Sequence, residues 1–272
     1  MRDVNVLVIG EAIVDEYVFC DGLGRSSKDP LLAFKYGSTE TFAGGSLGVA
    51  NHLAGLCGEV KLVTLLGEKE SRQKFIKENL NPRVDLTALR QVGAPTIHKR
   101  RYVDSHTGSK VFELYTMDES PLHRRTEDAI LEAIDGQIRS VDLVVVADYG
   151  HGMLTSRCVD LLVEKAPFLS VNTQANAGNR GFHTISKYPR ADYVCLNGGE
   201  VELELRRRRQ TSDDRDLMRG IAERIDCTKF TTTLGRAGTL HYDTDQGFFE
   251  APALATTIAD RVGAGDSVLS VT

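Results

Sequence analysis

The sequence predicts a doubly wound α/β sheet carrying a smaller β-sheet, and two observations lead there. Short apolar or β-branched runs alternate with segments of helical spacing along most of the chain. Two stretches break that alternation with paired extended segments around turn residues.

The strand-like runs are residues 4–9, 60–66, 141–147, 193–196 and 230–234, most of them apolar enough to be buried on both faces. Helical spacing marks 47–57, 72–80, 127–138, 156–165, 200–207 and 213–225. The exceptions are 16–19 with 31–42, and 96–103 with 110–116, joined at Gly22-Leu23-Gly24 and Ser105-His106-Thr107-Gly108. They predict a small sheet inserted into the α/β body at about 16–42 and 96–116, the whole chain, 1–272, forming one domain. Residues 239–243 and 247–251 read as a late hairpin. In an α/β body of this kind, ligands bind at the carboxyl ends of the strands.

A chain of 272 residues supports a sizeable core. Its formal net charge of -5 argues against a general nucleic-acid or membrane-surface binder. The five cysteines, Cys20, Cys57, Cys158, Cys195 and Cys227, are scattered, odd in number and without a Cys-x-x-Cys pair. Neither a disulfide framework nor a zinc site is signalled, so a reducing cytoplasm is expected. No apolar run reaches membrane-spanning length, and nothing in the sequence marks it for export. In the run Arg206-Arg207-Arg208-Arg209, Glu202 and Glu204 precede Arg206 and Arg208 by four residues, which reads as a solvated helix face with ion pairs.

The most informative stretch is Asp260-Arg261-Val262-Gly263-Ala264-Gly265-Asp266-Ser267. Its small residues let backbone N–H groups converge on an anion at a helix start, and Asp266 can reach the proton of an incoming hydroxyl. An ordinary glycine-rich helix start fits the same residues. Asp15 follows the first strand and can accept two hydrogen bonds from neighbouring sugar hydroxyls, or it can cap a loop. Gly44-Gly45, between a strand and a helix, lets a ligand approach the backbone or simply makes a turn. Asp148 and His151, in Asp148-Tyr149-Gly150-His151-Gly152, emerge after the most hydrophobic strand; His151 fits an ordinary loop histidine better than an acid–base group.

Asn197-Gly198-Gly199-Glu200 ends a strand and opens a helix; the amide and carboxylate fit the water shell of magnesium, or a helix cap. Thr233, Gly235 and Gly238 follow another strand, where N–H groups can meet nucleotide phosphates or form a tight hairpin. Strand alternation sends Lys99 and Arg101 to one face and His98 and Arg100 to the other; the first pair suits a substrate phosphate, or a solvated strand edge. A P-loop and the protein-kinase motifs are absent from the sequence.

In their order, Gly10 to Asp15, Ala43-Gly44-Gly45, Asp148 to Gly152, Asn197 to Glu200, Thr233 to Gly238 and Asp260 to Asp266 resemble the ribokinase-like (PfkB) carbohydrate kinases. The resemblance covers essentially the whole chain, and the strands at 96–103 and 110–116 look most like the kinase module of the heptose 7-phosphate kinases of ADP-heptose synthesis. It implies an αβα sandwich with a small β-lid over the sugar, and ATP-dependent phosphorylation of a sugar or sugar-phosphate hydroxyl. On this resemblance Asp266 is the base, and Gly263, Ala264 and Gly265 form the anion hole. Asn197 and Glu200 order Mg2+ and its waters, while Thr233, Gly235 and Gly238 line the ATP side. Asp15, Gly44, Gly45 and Asp148 face the sugar, with Lys99 or Arg101 for a substrate phosphate. A homodimer through the β-lid is implied as well.

Three departures accompany the resemblance. After Gly44-Gly45 the nearest asparagine is Asn51, and Asn172-Thr173-Gln174 stands where related kinases often carry Asp-Pro. The family also continues beyond its catalytic aspartate, whereas only 267–272 follow Asp266 here, so a short and poorly ordered final helix is expected. The chain then reads as one module of a longer protein or as a shortened relative. Two rival readings remain: a catalytically silent sugar-phosphate or nucleotide-binding module, and a nucleoside kinase of the same fold.

Overall fold

A computed structural model describes residues 2–207, 213–254 and 263–272. Asp260, Arg261 and Val262 of the glycine-rich motif, and Arg208 and Arg209 of the basic run, lie outside the described residues.

The chain opens with β1 (Val6–Gly10), β2 (Ala12–Arg25), β3 (Leu32–Gly45), α1 (Ser46–Ala54), β4 (Val60–Lys69), α2 (Gln73–Asn79) and β5 (Val84–Pro95). It continues through β6 (Ile97–Asp104), β7 (Lys110–Thr116), α3 (Arg124–Ile138), β8 (Leu143–Asp148), α4 (Ser156–Lys165), β9 (Leu169–Thr173) and β10 (Ala191–Asn197). The last elements are α5 (Gly198–Leu205), α6 (Asp214–Arg224), β11 (Cys227–Thr233), β12 (Thr239–Asp243), β13 (Gly247–Ala251) and α7 (Ala264–Val271).

Among the described residues, nine strands form one sheet in the order β13-β12-β11-β10-β9-β8-β1-β4-β5. It is parallel from β11 through β5 and antiparallel at the β11-β12-β13 edge. Alternation along β1 explains the two layers of core. Leu7 and Ile9 pack with Ile130, Ile134 and Leu162 from α3 and α4, whereas Val6 and Val8 pack with Leu47, Leu53 and Leu269 from α1 and α7. Helices therefore cover both faces, as a buried parallel sheet requires. The predicted small sheet is present as well, in the order β3-β2-β6-β7, with β2 and β6 parallel.

Several elements differ from expectation. β2 and β3 extend to Ala12 and Gly45, so the small sheet grows directly out of the core rather than starting near residue 16. The edge strand β5 was not expected; its Val84-Asp85-Leu86-Thr87-Ala88 alternation is diluted by helix-favouring residues and only partly buried. Helix α5 ends at Leu205, with Arg206 left-handed, and Glu204 turns inward onto Ser186 and Arg224 (3.0 Å). Glu204 of the expected Glu204–Arg208 pair thus makes a buried contact, while Arg208 lies outside the described residues.

Candidate active site

Helix α7 is capped at its N-terminus by Gly263, and its first hydrogen bond runs from Ser267 N–H to the Gly263 carbonyl. The N–H groups of Ala264, Gly265 and Asp266 are thereby left pointing out of the helix start, with the positive end of its dipole behind them. Packing contacts along this short helix supply what its length does not. Leu269 is buried against the α1 side, Ser267 Oγ lies 3.1 Å from His52 Nε2, and the Tyr193 hydroxyl bonds Thr272.

Asp266 sits in the first turn of α7 and accepts a hydrogen bond from the Tyr149 hydroxyl at 2.8 Å. Burial raises the carboxyl above its usual range, and the charge of Asp15 adds to this; Tyr149, His52 and Lys99 act the other way. A half-buried carboxylate with raised proton affinity suits a general base.

Two cavities meet at Asp266. One, of about 570 Å³, lies under the small sheet and is lined by Asp15, Tyr17, Phe42, Gly44, His52 and Lys110. The other, of about 870 Å³, lies at the carboxyl ends of β10 and β11 and brings together Gly45, Asn197, Thr233, Gly235 and Gly238 with Lys99 and Arg101. Asp15, Gly263 and Asp266 line both, so residues far apart in sequence share one boundary.

Alternation on β6 is as expected. His98 Nε2 lies 3.0 Å from Glu16 Oε2 and Arg100 also bonds Glu16, while Lys99 and Arg101 are buried on the opposite face. Arg101 bonds the Asp15 carboxylate and reaches Glu113 at 3.0 Å. Its guanidinium is thus engaged by two carboxylates, and both β6 cations line the Asn197 cavity rather than the one under the small sheet. Burial lowers the Lys99 pKa, partly offset by Asp15. The cation that lines the first cavity is Lys110, on β7 and 5.7 Å from the Tyr17 ring. Sequence reasoning passed over it because an isolated lysine after a turn glycine carries no motif.

Asp148, expected to face the sugar, is placed away from both cavities. Its carboxylate is 1% exposed, binds Lys187 Nζ and the Tyr188 hydroxyl at 2.7 Å each, accepts from Gly150 N–H at 3.0 Å, and lines neither cavity. It braces the loop after β8. Glu11 does the same from below, accepting from the N–H groups of Tyr149 (3.0 Å) and His151 (3.1 Å). Burial and the nearby Asp148 push Glu11 up to about 7. His151 is pushed down to about 4 by burial and by Lys99, which keeps its ring neutral.

Asn197 and Glu200 form a capping box. Asn197 Oδ1 accepts from Gly199 and Glu200 N–H (2.9 and 3.0 Å), and Glu200 accepts from Asn197 N–H (2.8 Å) and Ala175 N–H (3.2 Å). Among the described residues no group of three or more His, Cys, Asp or Glu side chains could hold a metal ion directly. Burial, with Asp266 adding repulsion, pushes Glu200 up to about 7. Asn197 lines the larger cavity, and an amide there fits the water shell of a hydrated cation brought in with an anionic ligand. Thr233 ends β11, and a tight turn closed by Leu234 N–H onto the Gly238 carbonyl (2.8 Å) places the two glycines beside it.

Residues 3–271 match the profile described as pfkB family carbohydrate kinase. The chain belongs to the pfkB family. Among curated proteins, the pfkB chain is 30% identical over 270 residues to the bifunctional protein HldE of Campylobacter jejuni, spanning 98% of this chain and 55% of that protein. It is 26% identical over 273 residues to HldE of Pasteurella multocida, spanning 99% of this chain and again 55% of the relative. The chain thus spans about half the length of these curated relatives. Among solved structures, phosphofructokinase-2 from Escherichia coli in complex with substrates and products superposes with a TM-score of 0.76 at 14% identity, covering 99% of this chain and 84% of the other. Arabidopsis thaliana ribokinase complexed with ribose and ATP superposes with a TM-score of 0.67 at 15% identity, over 99% and 84% of the two chains. At these identities the structural likeness concerns the pfkB fold alone.

Proposed function

We propose that this pfkB module transfers the γ-phosphoryl group of ATP to a hydroxyl of a sugar or sugar phosphate. The observation that carries the reading is Asp266 at the boundary of two cavities, at the open N–H end of α7. The acceptor occupies the cavity under the small sheet, with hydroxyls on Asp15 and against Gly44; ATP occupies the cavity along Asn197, Thr233, Gly235 and Gly238.

Asp266 takes the proton from the acceptor hydroxyl as its oxygen bonds to the γ-phosphorus. The bond from that phosphorus to the bridging oxygen breaks, and ADP leaves with the electron pair. The Gly263, Ala264 and Gly265 region stabilises charge on the transferred group. Most of the rate enhancement then comes from positioning and charge stabilisation. Mg2+ bound to the nucleotide phosphates would neutralise charge there, with Asn197 on the cavity wall holding its waters and Glu200 bracing Asn197.

The resemblance to heptose 7-phosphate kinases favours a phosphorylated sugar, with Lys110 facing its phosphate and Lys99 nearer the transferred group. The small sheet acts as a lid. Its exposed Leu32, Tyr36, Phe112 and Leu114 favour a second copy of the chain docked across the lid. Among the described residues no helix is long and apolar enough to cross a membrane.

A coupled ADP-release screen over sugars, sugar phosphates and nucleosides tests the reading. Release with a sugar phosphate supports it; release with nucleosides alone favours a nucleoside kinase. Ligand-induced thermal stabilisation with no ADP release favours a silent binding module.

A further inference from the structure

Tyr149 is 2% exposed and belongs to the core beneath the site, yet its hydroxyl emerges at the boundary of the two cavities and donates to Asp266 Oδ1 at 2.8 Å. Its N–H donates to Glu11 Oε2 at 3.0 Å, and its carbonyl accepts from Asn176 Nδ2 and Asn179 Nδ2 at 2.9 Å each. Packing holds the ring, and these three bonds hold the backbone that carries it.

We propose that Tyr149 is a positioning residue for Asp266, holding Oδ1 so that Oδ2 is the oxygen presented to the acceptor hydroxyl. This rests on the reading of Asp266 as the base. Burial and the Asp266 charge keep the phenol protonated far above neutral pH, so it acts as a donor throughout the working range. A carboxylate with one oxygen tied to a rigid donor has one orientation left, which is what proton abstraction at a fixed acceptor requires. The core alone would accept phenylalanine here; the hydroxyl is what the packing does not need.

The other groups facing Asp266 are Asp15 on β2, His52 on α1, Lys99 on β6, Cys195 on β10 and Glu200 on α5. None of them is altered by the substitution Tyr149→Phe. Losing the donor removes a bond to the ionised form, so the Asp266 carboxylate titrates at higher pH.

The test is Tyr149→Phe in the full chain. The Asp266 carboxylate is followed by carbon NMR, with its signal assigned by its loss in Asp266→Asn, beside the pH profile of kcat/KM. The expected result is an upward shift of both the carboxylate titration and the acid limb, with KM for ATP unchanged. An unmoved titration, or a loss of kcat equal at every pH, overturns the proposal. If Tyr149→Phe fails to fold, a fluorinated tyrosine placed at 149 is a stronger donor and moves the titration down; no movement overturns the proposal equally. A titration that shifts while the acid limb stays fixed refutes Asp266 as the base and the positioning role with it, although the pairing stands.

Discussion

Gly44 has no room for a side chain because Asp15 occupies it: a Cβ at residue 44 would stand 1.9 Å from Asp15 Oδ2. The two are diagonal neighbours on β2 and β3, where Gly44 pairs with Ile13 and Asp15 with Phe42. Gly44→Ala must therefore displace a carboxylate that Arg101 holds in place. The expected cost is about 1–3 kcal/mol of stability. KM for the acceptor should rise about tenfold or more, equivalent to about 1.4 kcal/mol, while ATP binding is unchanged. Steady-state kinetics with each substrate varied separately checks this, and an equal loss for both substrates would contradict the placement of the acceptor.

Asp15 and Arg101 form a buried ion pair, so removing one partner strands the other. Arg101→Met should cost about 3 kcal/mol, because Asp15 loses its only bonded cation among the described residues. Asp15→Asn in the same chain should restore much of that loss. A double-mutant cycle by urea unfolding measures the coupling. Strictly additive effects would show that the pair contributes no mutual stabilisation.

Gly238 adopts a φ of +93°, and a Cβ there would lie 2.0 Å from the Ala251 carbonyl oxygen. Gly238→Ala should open the turn beside Thr233 and weaken nucleotide binding while leaving acceptor binding intact. Calorimetric titration with ADP tests this. An unchanged affinity would place the nucleotide away from the β11–β12 turn.

His151 supplies a pH dependence whose sign follows from its burial. The folded ring protonates only near pH 4, against 6.5 ordinarily, so the unfolded chain binds the proton first as pH falls. Its contribution is present above about pH 6.5 and is lost as the pH drops toward 4. His151→Gln should flatten that part of the stability profile, by an amount on the order of 2–3 kcal/mol between pH 7.5 and 4.5. Urea unfolding of both chains across that range is the measurement, and parallel profiles would contradict it.

Much of this site was legible in the sequence because its parts sit where strands end. Asp15 follows β1, Asn197 ends β10, Thr233 ends β11 and Asp266 opens α7, and local patterning shows each of these positions. Alternation alone separated Lys99 and Arg101 from His98 and Arg100. What the pattern could not show is long-range partnering. Asp148 looks like an edge carboxylate until Lys187 and Tyr188, some 40 residues later, are seen to enclose it. Tyr149 and Asp266 are 117 residues apart, and no spacing rule joins them. β5 escaped notice because it is a half-exposed edge strand, and the contacts of the last helix with His52 and Tyr193 join residues too far apart in sequence for any local pattern to show.

The central claim is that Asp266 is the base of phosphoryl transfer between two adjoining substrates. Measuring ADP release and ATP binding in Asp266→Asn tests it most directly, because asparagine keeps the size and the acceptor for Tyr149 but cannot take the proton. The account predicts that turnover falls by about 10²- to 10⁴-fold while ATP binding and the melting transition are retained. Turnover equal to that of the unsubstituted chain would contradict it.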